Sequence, residues 1–336
     1  LKTLGSQGFR AFYEGDIARR IAAFWQEHGG VISVEDLAAH RARVLEPLRI
    51  NYRRYEVWEQ PPVSQGHILL QALKMVEGFD LQGMGALSPE LLHVCLEANK
   101  LAHADKDRYT TDPGYHALPT GLLSDGYARQ RAALIDMDRA AAFPPPAGEP
   151  PAAKETTYLC CVDGQGNAIS YIQSVFHGFG CGIVAGDTGV LLNNRACGFS
   201  LDPRHVNYLV PGKKTVHTLN TYMVFQQGCP AIVGGTPGGD IQVQTNLQVL
   251  TGLIDLGLDP QQAVECPRWS RHEGLKVSLE TRAPAKAYEG LRARGHEVGT
   301  IGPYSQGGRA QVIRISDGGV LTAGSDPRCD GCALVW

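Results

Sequence analysis

A proline- and alanine-rich run divides the chain into two parts of different character. Residues 138–155 contain AAAFPPPAGEPPAAK, with five prolines between positions 144 and 151. Proline fixes φ and removes a backbone N–H, so such a run continues neither a helix nor the interior of a sheet. We therefore predict an exposed linker at about 138–155, extended or disordered, between two segments that fold into regular structure.

The first 135 residues are predicted to be mainly helical. Apolar residues recur at helical spacing, and Ser33 to Asp36 resemble a capping box at a helix start. Residues 49–58 alternate as in a strand and are followed by two prolines. The predicted helices cover residues 17–24, 37–41, 66–76 and 89–106.

After the linker the pattern changes to short strands. The turn sequence Asp163 to Asn167 separates two of them, which predicts a hairpin. The predicted strands cover residues 157–162, 168–175, 190–193, 221–225, 231–234, 311–315 and 320–323, and the predicted helices cover 241–256 and 285–294. Helices and strands that occur in blocks predict an α+β fold with antiparallel pairing.

The charge balance excludes several classes of function. The chain has 336 residues, a net charge of −3 and a pI of about 6.4, which favours neither a nucleic-acid partner nor a membrane surface. No run of 18 apolar residues is present. Nine scattered cysteines are typical of reduced thiols and favour a cytoplasmic location.

Thr156 is the first candidate for chemistry. It stands where the linker meets a predicted strand, directly after Glu155. A threonine hydroxyl is a weak nucleophile unless a base lies beside it, and the free α-amine of the same residue can be that base once the preceding peptide bond is cut. A threonine pair at a strand start is also common for purely structural reasons, because threonine favours strands.

A glycine-rich turn is the second candidate. GGTPGGD at 234–240 precedes a predicted helix, and N–H groups at such a turn can hold negative charge, either as an oxyanion hole or as a phosphate cradle. The turn matches neither a Walker A loop nor G-x-G-x-x-G. Eleven histidines show no H-E-x-x-H spacing, so we predict no metal and no cofactor.

Several segments, taken in order, resemble the γ-glutamyltranspeptidase family of N-terminal-nucleophile hydrolases, and the resemblance extends over nearly the whole chain. The segments are GFRAFYEGDIARRI, GGVISVEDLAAH, ILLQALKMVEGFDL, TTYLCCVDGQGNAIS, GCGIVAGDTGVLLNN, GGTPGGD and GSDPRCDG. The resemblance implies a four-layer αββα sandwich, made as one precursor that cuts itself before a threonine. Family precursors extend further at the N-terminus, so part of the sandwich is expected to be absent here.

The same resemblance implies a division of the chain. Residues 1–155 correspond to the C-terminal part of a large subunit that ends in the linker, and residues 156–336 correspond to the small subunit. The two parts are expected to form one domain and to stay together as a heterodimer after cleavage, with further pairing of heterodimers as an option.

Carried over residue by residue, the resemblance assigns roles to five positions. Cleavage is expected between Glu155 and Thr156, which makes Thr156 the nucleophile and its new amine the general base. Ser174 corresponds to a hydroxyl residue that supports the nucleophile. Gly238 and Gly239 correspond to the oxyanion-hole pair.

Other positions depart from the family pattern. Gly198 stands where γ-glutamyl-specific members have an acid that binds the substrate ammonium group, and loss of a charged partner weakens such binding. His217 and Thr218 replace paired serines at the substrate carboxylate. Arg195 is expected to add positive charge to the substrate site. These departures resemble the acylase-like and oxamate-amidohydrolase-like branch rather than members that act on glutathione.

The sequence therefore predicts a self-processing amide hydrolase or acyltransferase. Its expected partners are a small amide or γ-glutamyl-type substrate and water or an amine as acceptor. Two alternatives stay open: a truncated family member without activity, and a phosphate-binding protein that uses the 234–240 turn.

Overall fold

The computed structural model describes residues 1–142, 154–305 and 308–336. Most of the predicted linker at 138–155 lies outside these residues. The described chain has two compact units. The smaller unit contains Leu1–Leu45, residues 154–155 and Val175–Arg195, and the larger unit contains residues 46–142, Thr156–Ser174 and Ala196–Trp336.

Helices and strands both contribute extensively to the described chain. The helices are α1 (Lys2–Gln7), α2 (Arg10–Tyr13), α3 (Asp16–Glu27), α4 (Val34–Ala39), α5 (Gly66–Val76), α6 (Leu81–Met84), α7 (Pro89–Tyr109), α8 (Asp125–Ala132), α9 (Ile241–Ile254), α10 (Pro260–Glu265) and α11 (Ala285–Ala293). Within the part of the chain that is described, none of these helices combines the length and apolar character that a bilayer span requires.

Within the described residues the strands form three sheets. They are β1 (Leu48–Tyr52), β2 (Tyr55–Glu59), β3 (Lys154–Val162), β4 (Ala168–His177), β5 (Thr221–Gln226), β6 (Cys229–Gly235), β7 (Trp269–Arg271), β8 (Lys276–Glu280), β9 (Glu297–Ile301), β10 (Gln311–Ile315) and β11 (Leu321–Ser325). The largest sheet is antiparallel in the order β1-β2-β5-β6-β10-β11. Strands β3 and β4 form a hairpin, and β7-β8-β9 form a small mixed sheet. The α+β prediction is confirmed.

The core of the larger unit lies between the six-stranded sheet and its helices. Helix α5 is buried at every position except Lys74, and α9 is buried along most of its length. Val57 and Val224 face each other across β2 and β5 and are fully buried. Burial of an aliphatic side chain contributes roughly 1.5–3 kcal/mol, so this layer is the main source of stability.

The single strand predicted at 49–58 is wrong, because the chain turns in its middle. Tyr52 pairs with Tyr55, so β1 and β2 form a hairpin with a two-residue turn. Arg53 occupies the turn with φ of 54°, without a glycine to signal it. Its N–H donates to Glu77 Oε1 at 2.6 Å and its Nε donates to Asp255 Oδ1 at 2.8 Å. Contacts distant in sequence therefore stabilise this turn.

One helix boundary and one predicted strand also differ from the sequence prediction. The Ser33–Asp36 capping box is present, but its helix is α4 at Val34–Ala39 rather than 37–41, since the cap acts on the residues directly after it. Residues 190–193 form no strand; Leu191 makes only an isolated bridge to Val184. Glycines at 186 and 189 with positive φ bend this loop away from a continuous ladder.

Candidate active site

Strand β3 presents Thr156 on its inward face. Side chains alternate along a strand, and here Thr156 and Tyr158 lie inward while Leu159 is 43% exposed. The Thr156 hydroxyl donates a hydrogen bond to Ser174 Oγ on β4, with the oxygens 3.0 Å apart. The two predicted hydroxyl residues are thus brought together by the hairpin. In the uncut chain the nitrogen of Thr156 is part of the peptide bond that follows Glu155.

Tyr158 attaches this hairpin to the main sheet. Its hydroxyl shares a hydrogen bond with Ser170 Oγ at 2.8 Å, and Ser170 Oγ also donates to the carbonyl of Gly234 on β6 at 3.2 Å. A Cβ placed on Gly235 would lie 2.6 Å from the Tyr158 ring. Burial raises the pKa of the Tyr158 hydroxyl well above its usual value, so the group stays neutral.

The predicted oxyanion turn directly follows β6. Gly238 and Gly239 have φ of 136° and 61°, in the region that favours glycine. Helix α9 starts at Ile241, whose N–H donates to the Gly238 carbonyl at 3.3 Å. The first N–H groups of a helix have no partner within it, and its N-terminus favours negative charge. The turn can therefore stabilise an oxyanion.

His217 and Thr218 lie beside the start of α5. The His217 N–H donates to the Val63 carbonyl at 3.0 Å. The buried side chain of Gln65 donates from Nε2 to the Thr218 carbonyl at 2.9 Å and to the Gly239 carbonyl at 3.3 Å. Gln65 thus joins a predicted substrate-binding residue to the oxyanion turn. It was not predicted from the sequence, since no motif at residue 65 indicates a contact with residues 218 and 239.

Gly198 is packed against neighbouring backbone and side chain. A Cβ at this position would lie 2.8 Å from Thr215 Oγ1 and 3.0 Å from the Val216 carbonyl. The buried Asn207 side chain donates to the Gly198 carbonyl at 2.8 Å and to Thr215 Oγ1 at 3.1 Å. An acidic side chain at residue 198 would therefore require this loop to move.

Arg195 lies in the smaller unit and opens a 3₁₀ turn at Arg195–Gly198. Its guanidinium lies over the ring of Phe176, 4.7 Å from the centroid. Its backbone N–H donates to Asn193 Oδ1 at 2.9 Å. A cation over an aromatic ring is held in a defined orientation. The Arg195 guanidinium, which the sequence predicts to add positive charge to the substrate site, therefore has a defined position within the smaller unit.

Two α7 residues and a histidine just before β9 form a buried cluster with the donor types of a metal site. Ligand atoms of His93, Glu97 and His296 all lie within 4.8 Å of one another. However, Lys100 Nζ donates to Glu97 Oε1 at 2.7 Å, and His93 Nδ1 and His296 Nε2 share a hydrogen bond of 2.8 Å. The carboxylate charge is balanced by Lys100 and three of the four ring nitrogens make hydrogen bonds, while His296 Nδ1 is buried without a partner among the described residues.

Comparison with known proteins connects this geometry to a family. The sequence profile of the family described as Gamma-glutamyltranspeptidase matches residues 1–336. The glutathione hydrolase-like YwrD proenzyme of Bacillus subtilis is 40% identical over 99% of this chain and 64% of its own length. The oxamate amidohydrolase proenzyme of Klebsiella pneumoniae is 35% identical over 99% of this chain and 63% of its own length.

A solved structure agrees in fold. The crystal structure of cephalosporin acylase from Bacillus halodurans superposes with a TM-score of 0.92 at 38% identity, covering 100% of this chain and 61% of that one. The predicted N-terminal-nucleophile hydrolase fold is thereby confirmed. The chain spans less than two thirds of the length of the relatives it matches.

Proposed function

The chain belongs to the gamma-glutamyltranspeptidase family, and from this premise we propose that it is a self-processing amide hydrolase or acyltransferase with Thr156 as its nucleophile. The observation that carries the proposal is the 3.0 Å hydrogen bond between Thr156 Oγ1 and Ser174 Oγ. A threonine nucleophile needs both an activating base and a fixed orientation. The bond to Ser174 supplies the orientation, and the base is the α-amine that cleavage releases.

Processing follows from the same hydroxyl. Thr156 Oγ1 attacks the carbonyl carbon of Glu155, and the C–N bond to Thr156 breaks as its nitrogen takes up a proton. The resulting ester is hydrolysed by water, which leaves a carboxylate on Glu155 and a free amine on Thr156. Relatives that carry the word proenzyme in their names support a precursor of this kind.

Turnover repeats this chemistry on a bound amide. The Thr156 hydroxyl passes its proton to its own amine while Oγ1 attacks the substrate carbonyl. The N–H groups of Gly238 and Gly239 stabilise the tetrahedral oxyanion, which collapses to an ester as the leaving amine takes the proton. Water or an amine then releases the acyl group. A terminal α-amine has a pKa of about 8, so the base is available near neutral pH.

The substrate that we propose is a small amide other than glutathione. Gly198 offers no carboxylate to a substrate ammonium group, and a Cβ at this position would meet Thr215 Oγ1 and the Val216 carbonyl. Relatives named for glutathione hydrolysis and for oxamate hydrolysis are both similar to this chain, so the acyl group is the feature that substrate screening must establish. Nine scattered cysteines are typical of a reducing compartment, and a cytoplasmic location is therefore part of the proposal.

The first test compares wild type with Thr156→Ala by denaturing electrophoresis and intact mass spectrometry. We expect wild type to yield fragments of residues 1–155 and 156–336, with threonine as the new N-terminus. The alanine variant should stay uncut and should hydrolyse no amide, because it lacks the attacking oxygen.

Thr156→Ser is the matched control, since it keeps a hydroxyl and should still process. An alanine variant that is cut at the same bond, or that hydrolyses amides, would contradict the proposal. A wild-type chain that remains a single polypeptide would favour the alternative of an inactive family member.

A further inference from the structure

The effectiveness of an oxyanion hole depends on whether its N–H groups are oriented before the reaction. Donors that are already aimed at the developing charge need no reorganisation during the reaction, and loss of one such donor costs about 10²–10³ in rate. In a trans peptide the carbonyl and the N–H point in opposite directions. A contact that fixes the carbonyl of a peptide therefore also fixes the direction of the N–H that follows it.

Thr236 fixes the first peptide of the turn. Its side chain is fully buried, and Oγ1 accepts the N–H of Arg309 at 2.7 Å and donates to the carbonyl of Pro237 at 2.8 Å. The Pro237–Gly238 peptide is trans. The Thr236 hydroxyl thus holds the carbonyl that lies opposite the Gly238 N–H.

Gly308 makes the contact with Arg309 possible. A Cβ placed on Gly308 would lie 2.5 Å from Thr236 Oγ1 and 2.8 Å from Thr245 Oγ1, and its φ is 81°. Only a glycine allows this backbone to approach the threonine so closely. The Arg309 N–H then occupies the acceptor side of the Thr236 hydroxyl, which leaves its proton directed at Pro237.

Gln65 fixes the other end of the turn. Its side chain is 1% exposed, and Nε2 donates to the carbonyls of Gly239 and Thr218. The Gly239 carbonyl also accepts the N–H of Gln242 at 3.1 Å, and the Gly238 carbonyl accepts that of Ile241. The Gly238 carbonyl is therefore directed into the first turn of α9, and the Gly239 N–H on the same peptide points away from it. Gln65 instead holds the peptide that follows, Gly239–Asp240.

We propose that Thr236 is a positioning residue that holds the N–H group of Gly238 toward the oxyanion. The inference rests on the proposed function of the turn and adds to it. The Thr236 side chain is not assigned to touch the substrate. It acts through a backbone carbonyl, so that its substitution should affect the transition state more than substrate binding.

The test uses Thr236→Val, which keeps the shape and removes the hydroxyl, with Thr236→Ser to restore it. Amide hydrolysis is compared between preparations in which the same fraction of chains has been cleaved. We expect Thr236→Val to lower kcat about 10- to 100-fold with KM changed less than about threefold. Thr236→Ser should restore kcat to within about threefold of wild type.

Thr251→Val is the matched control. Thr251 is also buried, and its hydroxyl donates to the Leu247 carbonyl at 2.8 Å within α9, away from the turn. Loss of stability alone would appear in both valine variants. A fall in kcat confined to Thr236→Val would support the positioning role, and equal kcat in both variants would overturn it.

Crystal structures of wild type and Thr236→Val test the positioning role without relying on the proposed function. We expect the Pro237–Gly238 peptide to rotate in the variant, whether or not the protein hydrolyses amides. An unchanged peptide in Thr236→Val would overturn the positioning role even if the wild type is active. Absence of wild-type turnover together with a rotated peptide would instead contradict only the proposed function.

Discussion

At the scale of single residues, Gly235 controls how closely the nucleophile strand approaches the main sheet. The Tyr158 ring occupies the space that a side chain at residue 235 would need. Thr156 lies two residues from Tyr158 on the same face of β3. A change at Gly235 should therefore affect both packing and the position of the nucleophile.

We predict that Gly235→Ala lowers the free energy of unfolding by about 1–3 kcal/mol, the usual cost of overpacking, and slows self-cleavage. Gly164→Ala is the matched control, because a Cβ there meets no atom within 4 Å. Chemical denaturation and the rate of fragment appearance measure the two effects. Equal stability and equal cleavage in both variants would show that the Tyr158 contact does not hold β3 in place.

Residues of the candidate site differ in how far the sequence alone predicts them. Thr156 and the two glycines follow from local motifs and from a family resemblance, Ser174 follows from the resemblance alone, and the structure places Thr156 beside Ser174. Their catalytic roles stay predictions. Gln65 and Thr236 act through contacts with residues far away along the chain, so nothing in their neighbouring sequence indicates them.

At the scale of elements, a strong hydrophobic period predicts well that a helix or strand exists, but it predicts poorly where the chain turns. Helix α5 begins and ends as predicted, and α9 and α11 differ from the prediction by one or two residues at their C-terminal ends. The β1–β2 turn was missed because Arg53 replaces the usual glycine or asparagine and is held by Glu77 and Asp255. The three strands of the β7-β8-β9 sheet were not predicted from the sequence.

The burial of α5 has a measurable electrostatic consequence at His67. Burial lowers the pKa of His67 to about 3, and Nε2 shares a hydrogen bond of 2.8 Å with Thr110 Oγ1. In the unfolded chain a histidine has a pKa of about 6.5. As pH falls below 6.5, the unfolded state binds a proton that the folded state does not, so the free energy of unfolding decreases.

We predict that His67→Gln reduces this acid sensitivity. Between pH 7 and pH 5 the variant should lose about 2 kcal/mol less free energy of unfolding than wild type. Subtracting the pH dependence of the variant from that of wild type isolates the contribution of His67. Buried acids such as Glu59, whose raised pKa makes the free energy of unfolding increase as pH falls, contribute equally to both proteins. Urea unfolding at both pH values measures it, with the exposed His116→Gln as control. A variant whose free energy of unfolding has the same pH dependence as wild type would refute the assignment of this acid sensitivity to His67.

At the scale of the whole molecule, the six-stranded sheet is shared by the two sides of the proposed cut. Strands β1 and β2 precede Glu155, and β5, β6, β10 and β11 follow Thr156. Strand β2 pairs with β5 from Glu56 opposite Phe225 to Glu59 opposite Tyr222. The buried Asn220 also donates to Glu59 Oε1 at 2.8 Å. Cleavage between residues 155 and 156 removes none of these contacts.

The two fragments should therefore remain together without a peptide bond between them. Residues 1–155 and 156–336, expressed as separate chains in one cell, should copurify through a tag on either one and elute together in native size-exclusion chromatography. Val57→Asp should separate them, because it places a charge in the fully buried contact between β2 and β5. The exposed Glu56→Gln on the same strand is the control. Because this design bypasses self-cleavage, fragments that elute apart would contradict the shared sheet whatever the chemistry of Thr156.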